Sequence, residues 1–361
     1  MTVYWMLLAW AVLWALQARA PRVSGSGELL RVPLNGLWWL TAAVLTLVIG
    51  FRFQVGGDWA AYLRYVQRAA DSSLPQILTL SDPGYLLLNW FSVQLGLNIW
   101  GVNLFAGGVF AYGLAVFCRQ LPRPWLALVA AIPYMVIVVS MGYTRQGVAL
   151  AFAMLALVAL GQQKVRTFVF WVLLGATFHK SAVLLLPMAA LAVTVNRYWI
   201  AFWVGIVGML AYVLLLGEAI EAVINTYVDA EYQSEGAFVR LAMNALPALI
   251  LLIWHRRFRF PAGQLKLWIW FAVFSVLLFA ALWVTPATAL LDRVALYMLP
   301  LQLVVFSYFP DTFGRTRLDR TVLLLGVVLY YSAVQFVWLN MAAHASAWLP
   351  YRFYPLEMLS L

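Results

Sequence analysis

Apolar runs of about 17–25 residues recur along this chain, divided by short polar or Pro/Gly-rich breaks, and a helix of that length is what crosses the hydrocarbon core of a bilayer. Full spans are read near 3–18, 35–51, 98–118, 125–141, 146–161, 198–217, 238–254, 265–285, 293–309 and 321–341. The expectation is therefore an all-α, polytopic membrane protein with roughly ten transmembrane helices, forming a single transmembrane domain over 1–361. Composition agrees: 65% of the 361 residues are hydrophobic and 10% charged, against about 25% charged in a soluble domain. The first eighteen residues are apolar without a basic start, so they read as the first membrane helix and not as a cleaved leader.

Two stretches do not fit simple spans. Segment 83–97 is short and follows Asp82-Pro83-Gly84, and segment 168–195 is long but interrupted by Phe178-His179-Lys180-Ser181. The breaks at 19–34, 119–124, 162–167 and 255–266 are basic, whereas 218–237 carries five acidic residues and no Lys or Arg. Basic loops stay cytoplasmic. All four fall on one side only if 83–97 re-enters from its own side and 168–195 folds as a hairpin. Irregular backbone at membrane depth survives where it lines a cavity, so both segments are expected to surround an outward-facing cavity. The net charge of +10 is read as cytoplasmic loops and an anionic ligand, not as nucleic-acid binding.

Charged and polar groups beside apolar runs are expensive and point to function. Asp58 follows Gly56-Gly57 and reads either as a helix cap or as a base; Tyr62 follows one turn later. Arg145-Gln146 opens an apolar helix, where a cation opposes the macrodipole and calls for a negative partner; a helix N-terminus plus an arginine fork also suits phosphate. The plainer alternative is an arginine snorkelling to headgroups. His179 reads as a general base or a phosphate ligand and Lys180 as a cation neutralising anionic charge, unless the stretch is a short interfacial loop. Arg293 stands at a predicted helix start with Tyr297 at i+4, unless Asp292 simply pairs with it. Arg352 lies in an aromatic tail that reads first as an interfacial belt. Cys118 is the only cysteine, and no metal motif, Walker loop or dinucleotide fingerprint is present; neither a cofactor nor a metal is expected. Asp229-Ala230-Glu231 is too common a spacing to imply a metal site.

Five ordered motifs carry a resemblance: VGGDWAAYLRY at 55–65, DPGYLLLN at 82–89, TRQGVALAFAMLAL at 144–157, FHKSAVLLLP at 178–187 and RVALYMLP at 293–300. Together they resemble the EpsG/Wzy-like family of bacterial polysaccharide polymerases of exopolysaccharide, capsule and O-antigen synthesis, over about 35–355. Gly57 stands where Thr is usual, and Asp82 where Glu is frequent; neither change removes a charge. The resemblance implies a glycosyltransferase of the bacterial inner membrane, joining oligosaccharide units carried on undecaprenyl diphosphate at the periplasmic face without a metal. Arg145, Arg293 and Lys180 would hold the diphosphate; Asp58 or His179 would take the acceptor proton; Gln146, Tyr297, Tyr62, Asp82 and Arg352 would bind substrate. An aspartate crowded by arginines is weakened as a base, which favours His179. A chain-length regulator stands as a further candidate partner. A lipid-linked oligosaccharide flippase and an O-antigen ligase-type transferase remain alternatives.

Overall fold

The structure, a computed structural model, describes residues 1–18, 33–80, 82–192, 197–211, 236–261, 263–285 and 288–359. Most of the basic segment 19–34 and of the acidic loop 218–237, the Asp229-Ala230-Glu231 triplet included, lies outside the described residues. The described chain is helical, with one isolated antiparallel bridge between Arg52 and Phe353 and no strand.

The helices are α1 (Thr2–Gln17), α2 (Gly36–Gly50), α3 (Trp59–Ala70), α4 (Leu74–Leu78), α5 (Pro83–Gln94), α6 (Asn98–Cys118), α7 (Pro124–Ala131), α8 (Thr144–Gly161), α9 (Val165–Phe178), α10 (Pro187–Ala192), α11 (Arg197–Ala211), α12 (Ala237–Trp254), α13 (Gln264–Ala281), α14 (Thr288–Ala295), α15 (Pro300–Phe313), α16 (Arg317–Met341) and α17 (Tyr354–Glu357). Among the described residues, five helices are long and apolar enough to cross a bilayer: α6, α8, α12 with its following turn, α13 and α16. The α14–α15 pair makes six if its 47° bend lies within one span. Ten full-length spans are thus not displayed among the described residues, and the end of the run near 198–217 lies outside them. Some predicted runs are shorter helices, such as α1 and α2, and some are broken. The run near 125–141 begins as α7 and continues as a π-helix over Ile132–Ser140. Leu296–Met298 tightens to a 3-10 turn before Pro300 restarts the helix, since proline fits the first turn and not a helix interior.

Helix α8 is the axis of the site. Small residues at Gly147, Ala149, Ala151, Ala153 and Ala156 let neighbouring backbones approach closely; all five are buried, with Gly147 against Ser140 of the π-helix, Ala149 against Gly175 of α9 and Ala151 against Gly113 of α6. Polar side chains join other helices: Gln302 Nε2 donates to Asn244 Oδ1 (2.7 Å) and Tyr331 Oη to Gln302 Oε1 (3.0 Å). Asn244 Nδ2 donates to the Ala295 carbonyl (2.8 Å). In an apolar surround such bonds tie α12, α15 and α16 together. Arg123 grips Asp311 with two nitrogens at 2.7 and 2.9 Å.

Segment 83–97 forms α5, preceded by Asp82 in the left-handed region (φ 55, ψ 58). Segment 168–195 breaks at His179, whose backbone is extended, and resumes as a 3-10 turn over Lys180–Leu185 and then α10. Both segments are thus irregular, and each has a charged residue at its break, Asp82 and Lys180. Helix α3 is amphipathic, burying Tyr62 and Ala69 and turning Arg64 and Arg68 outward.

The C-terminal tail returns to the start of the chain. Phe53 N–H donates to the Arg352 carbonyl (2.9 Å), Tyr354 N–H to that of Phe51 (2.9 Å) and Gly56 N–H to that of Ala347 (2.8 Å). Trp348, fully buried, donates its indole N–H to the Ile137 carbonyl (2.8 Å), and its own carbonyl accepts from Tyr4 Oη (2.8 Å).

Candidate functional site

The site is assembled from five chain breaks. They are the 51–58 turn after α2, Asp82 before α5, the start of α8, the His179 break, and the end of α14 with its 3-10 turn. Gly56 makes the first possible. Its φ is +102, and a Cβ there would lie 2.5 Å from the Met141 carbonyl oxygen, so only glycine lets this turn rest on the end of the π-helix.

Arg145, second residue of α8, forms a 2.6 Å ion pair through Nη1 with Asp82 Oδ2. Its guanidinium carbon sits 4.9 Å from the Tyr65 ring centroid, a cation–π distance. The negative partner that a cation at this helix end requires is therefore Asp82, from 63 positions away. Lys180 adds its charge and a backbone N–H to the same carboxylate. Burial pushes the Asp82 carboxyl above its ordinary range, and Arg145 pulls it back.

Asp58 occupies the cap position of α3 but makes no capping bond, so the cap reading does not hold. Burial pushes its carboxyl up, against the pull of Arg145 and Arg293. Sequence reasoning expected the arginines to weaken Asp58 as a base; desolvation outweighs them. Tyr62 is buried, its hydroxyl bonded to Thr144 and its phenol pushed up to about 12 by burial and by Asp58. His179 Nδ1 meets Ser181 Oγ at 2.6 Å, and Ser181 donates to Tyr297 Oη at 3.1 Å. Arg145, Arg293 and Lys180 all act electrostatically on His179. Arg293 lies in the last turn of α14, not at a helix start, because the run breaks at Leu296–Met298. Asp292 pairs with Arg240 at 2.7 Å.

Thus Asp58, Tyr62, Asp82, Arg145, His179, Lys180, Arg293 and Tyr297 share one electrostatic neighbourhood. Gln146 joins it on the buried face of α8. Arg352 stands apart: it is exposed and donates to Gln54 Oε1 (3.0 Å), because its segment is spent on pairing with the 51–54 turn.

Sequence reasoning missed Arg52. Its side chain is fully buried and donates to the carbonyls of Met141 (2.8 Å) and Ile49 (2.6 Å), to Asn103 Oδ1 (3.2 Å) and to Thr144 Oγ1 (2.7 Å). It fixes the start of α8 next to Arg145. An arginine closing an apolar run gave no sign of whether it faced lipid or protein.

Three buried donors around this helix start, Arg145 Nε, Gln146 Nε2 and Asn103 Nδ2, have no acceptor among the described residues. Buried donors are normally satisfied. With Arg145, Lys180 and Arg293 against two carboxylates, the unmet demand is for an oxygen-rich, negatively charged group. Among the described residues no group of three or more His, Cys, Asp or Glu is placed to hold a metal ion.

Residues 36–353 match the model of the EpsG family. Comparison with curated proteins finds no match.

Proposed function

The chain belongs to the EpsG family, and from that membership we propose that it is a polysaccharide polymerase acting on undecaprenyl-diphosphate-linked oligosaccharides at the outer face of the bacterial inner membrane. The observation that carries the reading is the set of unmet donors beside Arg145. A diphosphate supplies the missing acceptors, and its charge grows as it departs from the sugar. Donors already in place stabilise that charge without reorganising. Arg145 holds the diphosphate with Gln146 and Asn103, while Lys180 and Arg293 neutralise its remaining charge.

Asp58 takes the proton from the acceptor sugar hydroxyl. Its raised carboxyl is a stronger base than an ordinary aspartate. The hydroxyl oxygen bonds to the donor's anomeric carbon, the bond from that carbon to the phosphate oxygen breaks, and undecaprenyl diphosphate leaves with the electron pair. His179, Ser181 and Tyr297 form a hydroxyl-bearing wall that suits sugar oxygens.

One membrane domain with ten crossings accommodates the helices: α1, α2, α7 with its π-helix, α11 and the α14–α15 pair join the five long ones. Lys164 lies past the far end of α8 from Arg145, about 27 Å away at 1.5 Å per residue. Basic loops remain inside, so Arg145 faces out.

The test is a ladder assay with purified protein and a synthetic undecaprenyl-diphosphate-linked repeat unit. A ladder that Arg145→Ala abolishes is expected. Normal polymer from that variant would refute the site, and transport of the intact lipid-linked unit into liposomes without a ladder would refute the reaction.

A further inference from the structure

A cavity of about 700 Å³ lies between α12 and α16, with the π-helix behind it. Met243, Leu246, Val334, Val337 and Met341 line its length. Tyr143, Arg240 and His344 sit at one end, while Tyr134 and Tyr330 also line the cavity. Arg240 is in the first turn of α12, His344 follows the last turn of α16, and Tyr143 immediately precedes α8. From Gly236 to Leu246, and from Tyr330 to Ala342, the lining extends about 15–18 Å along the helices, roughly half of a bilayer core.

The polar end joins the site already described. Tyr143 lines the groove and interacts electrostatically with Asp58 and Arg293 as well as with Arg240 and Asp292. Asp292, which pairs with Arg240, is the neighbour of Arg293 in α14. Along the groove's flank Val239, Leu246, Val337 and Met341 are exposed at 54%, 42%, 45% and 71%, so a chain can enter sideways from the membrane. A slot that is mostly apolar along its length and continuous at one end with a cationic cluster matches an amphiphile with a long hydrocarbon chain and a compact anionic head.

We propose that this groove holds the polyisoprenoid chain of the lipid-linked substrate, delivering its diphosphate through the Tyr143 end to Arg145. The inference rests on the polymerase reading for the identity of the lipid. A phospholipid acyl chain would fill the apolar part too, but a diphosphate brings more acceptor oxygens to the three unmet donors than a single phosphodiester does. Chain burial here supplies affinity, and the cationic cluster sets the register of the reacting bond.

The experiment uses the full-length protein in nanodiscs and a diazirine-bearing polyprenyl diphosphate that carries no sugar. Adducts should map to 242–246 and 333–341, and unlabelled undecaprenyl diphosphate should compete while phosphatidylglycerol does not. Trp introduced from either wall, Ala242→Trp or Ala333→Trp, should reduce labelling at least about tenfold, equivalent to about 1.4 kcal/mol of binding. Adducts elsewhere on the lipid-facing surface, or equal competition by phosphatidylglycerol, would overturn the proposal. Mapping on the unaltered protein decides the matter if either Trp variant misfolds. Groove labelling without a polymer ladder would leave the groove standing and remove the polymerase reading; a ladder with labelling elsewhere would do the reverse.

Discussion

The Arg145–Asp82 pair can be taken apart by a double-mutant cycle. Asp82 is 6% exposed and Arg145 28%. Arg145→Ala strands a carboxylate where water scarcely reaches it, which costs about 3–5 kcal/mol, with about 0.5–1 kcal/mol more from the lost Tyr65 contact. Asp82→Asn leaves the better-solvated partner unpaired, at about 1–3 kcal/mol. Independent effects would sum to roughly 6 kcal/mol. The double variant strands no charge and should lose only about 3 kcal/mol, a coupling of roughly 3 kcal/mol, at the upper end for residues in contact. Acid should expose the same physics. Burial already raises the Asp82 carboxyl, and Arg145 is the main force lowering it; without Arg145 it rises further. A carboxyl raised on folding contributes stability below its unfolded value near 3.9, and that contribution is lost as pH climbs through the folded value. The deficit of Arg145→Ala should therefore be small near pH 4 and full at pH 8. SDS-titration unfolding of the four proteins at both pH values measures all of this. Additive losses, with a deficit indifferent to pH, would refute the claim that Asp82 is the charge Arg145 compensates. Polymer synthesis should stay absent in the double variant even though its stability recovers.

Arg52→Lys keeps the charge but cannot span acceptors on Met141, Ile49, Asn103 and Thr144 at once; it should lose about 2–4 kcal/mol by the same unfolding assay. Asp58→Asn should fold normally, since Asp58 caps nothing, yet lose at least about a hundredfold in ladder formation; unchanged rates would return the base to His179. Gly142→Ala drives a methyl into the Trp348 indole and should cost about 1–3 kcal/mol, which Trp348→Phe should partly restore in thermal melts.

Charge set against an apolar background was legible in the sequence, because burying it is expensive and few positions carry it. That is why Asp58, Asp82, Arg145, His179, Lys180 and Arg293 stand out in the sequence as candidates. The need for an anion at Arg145 followed from helix electrostatics, but its identity did not: the pairing with Asp82 depends on how α5 lies against α6 and α9. Helix breaks were less legible. Pro300 and the π-helix over Ile132–Ser140 divide runs that look continuous by hydropathy, so the run count exceeded the count of long helices and Arg293 was put at the wrong helix end. Arg352 looked like a member of a basic cavity because backbone pairing leaves no compositional trace. The groove gave no signal, since residues facing a cavity and residues facing lipid are equally apolar.

The returning tail has a consequence for the order of assembly. Residues 347–354 close the turn that carries Asp58 and brace the π-helix from behind through Trp348, although almost the whole helical bundle lies between the two in sequence. The 51–58 turn can settle on Met141 once the π-helix is in place, but its backbone bonds to Ala347 and Arg352 wait for α16. The candidate site is therefore completed by the late docking of a distant segment, and a substitution that loosens the tail should loosen the Asp58 turn without touching any charged residue.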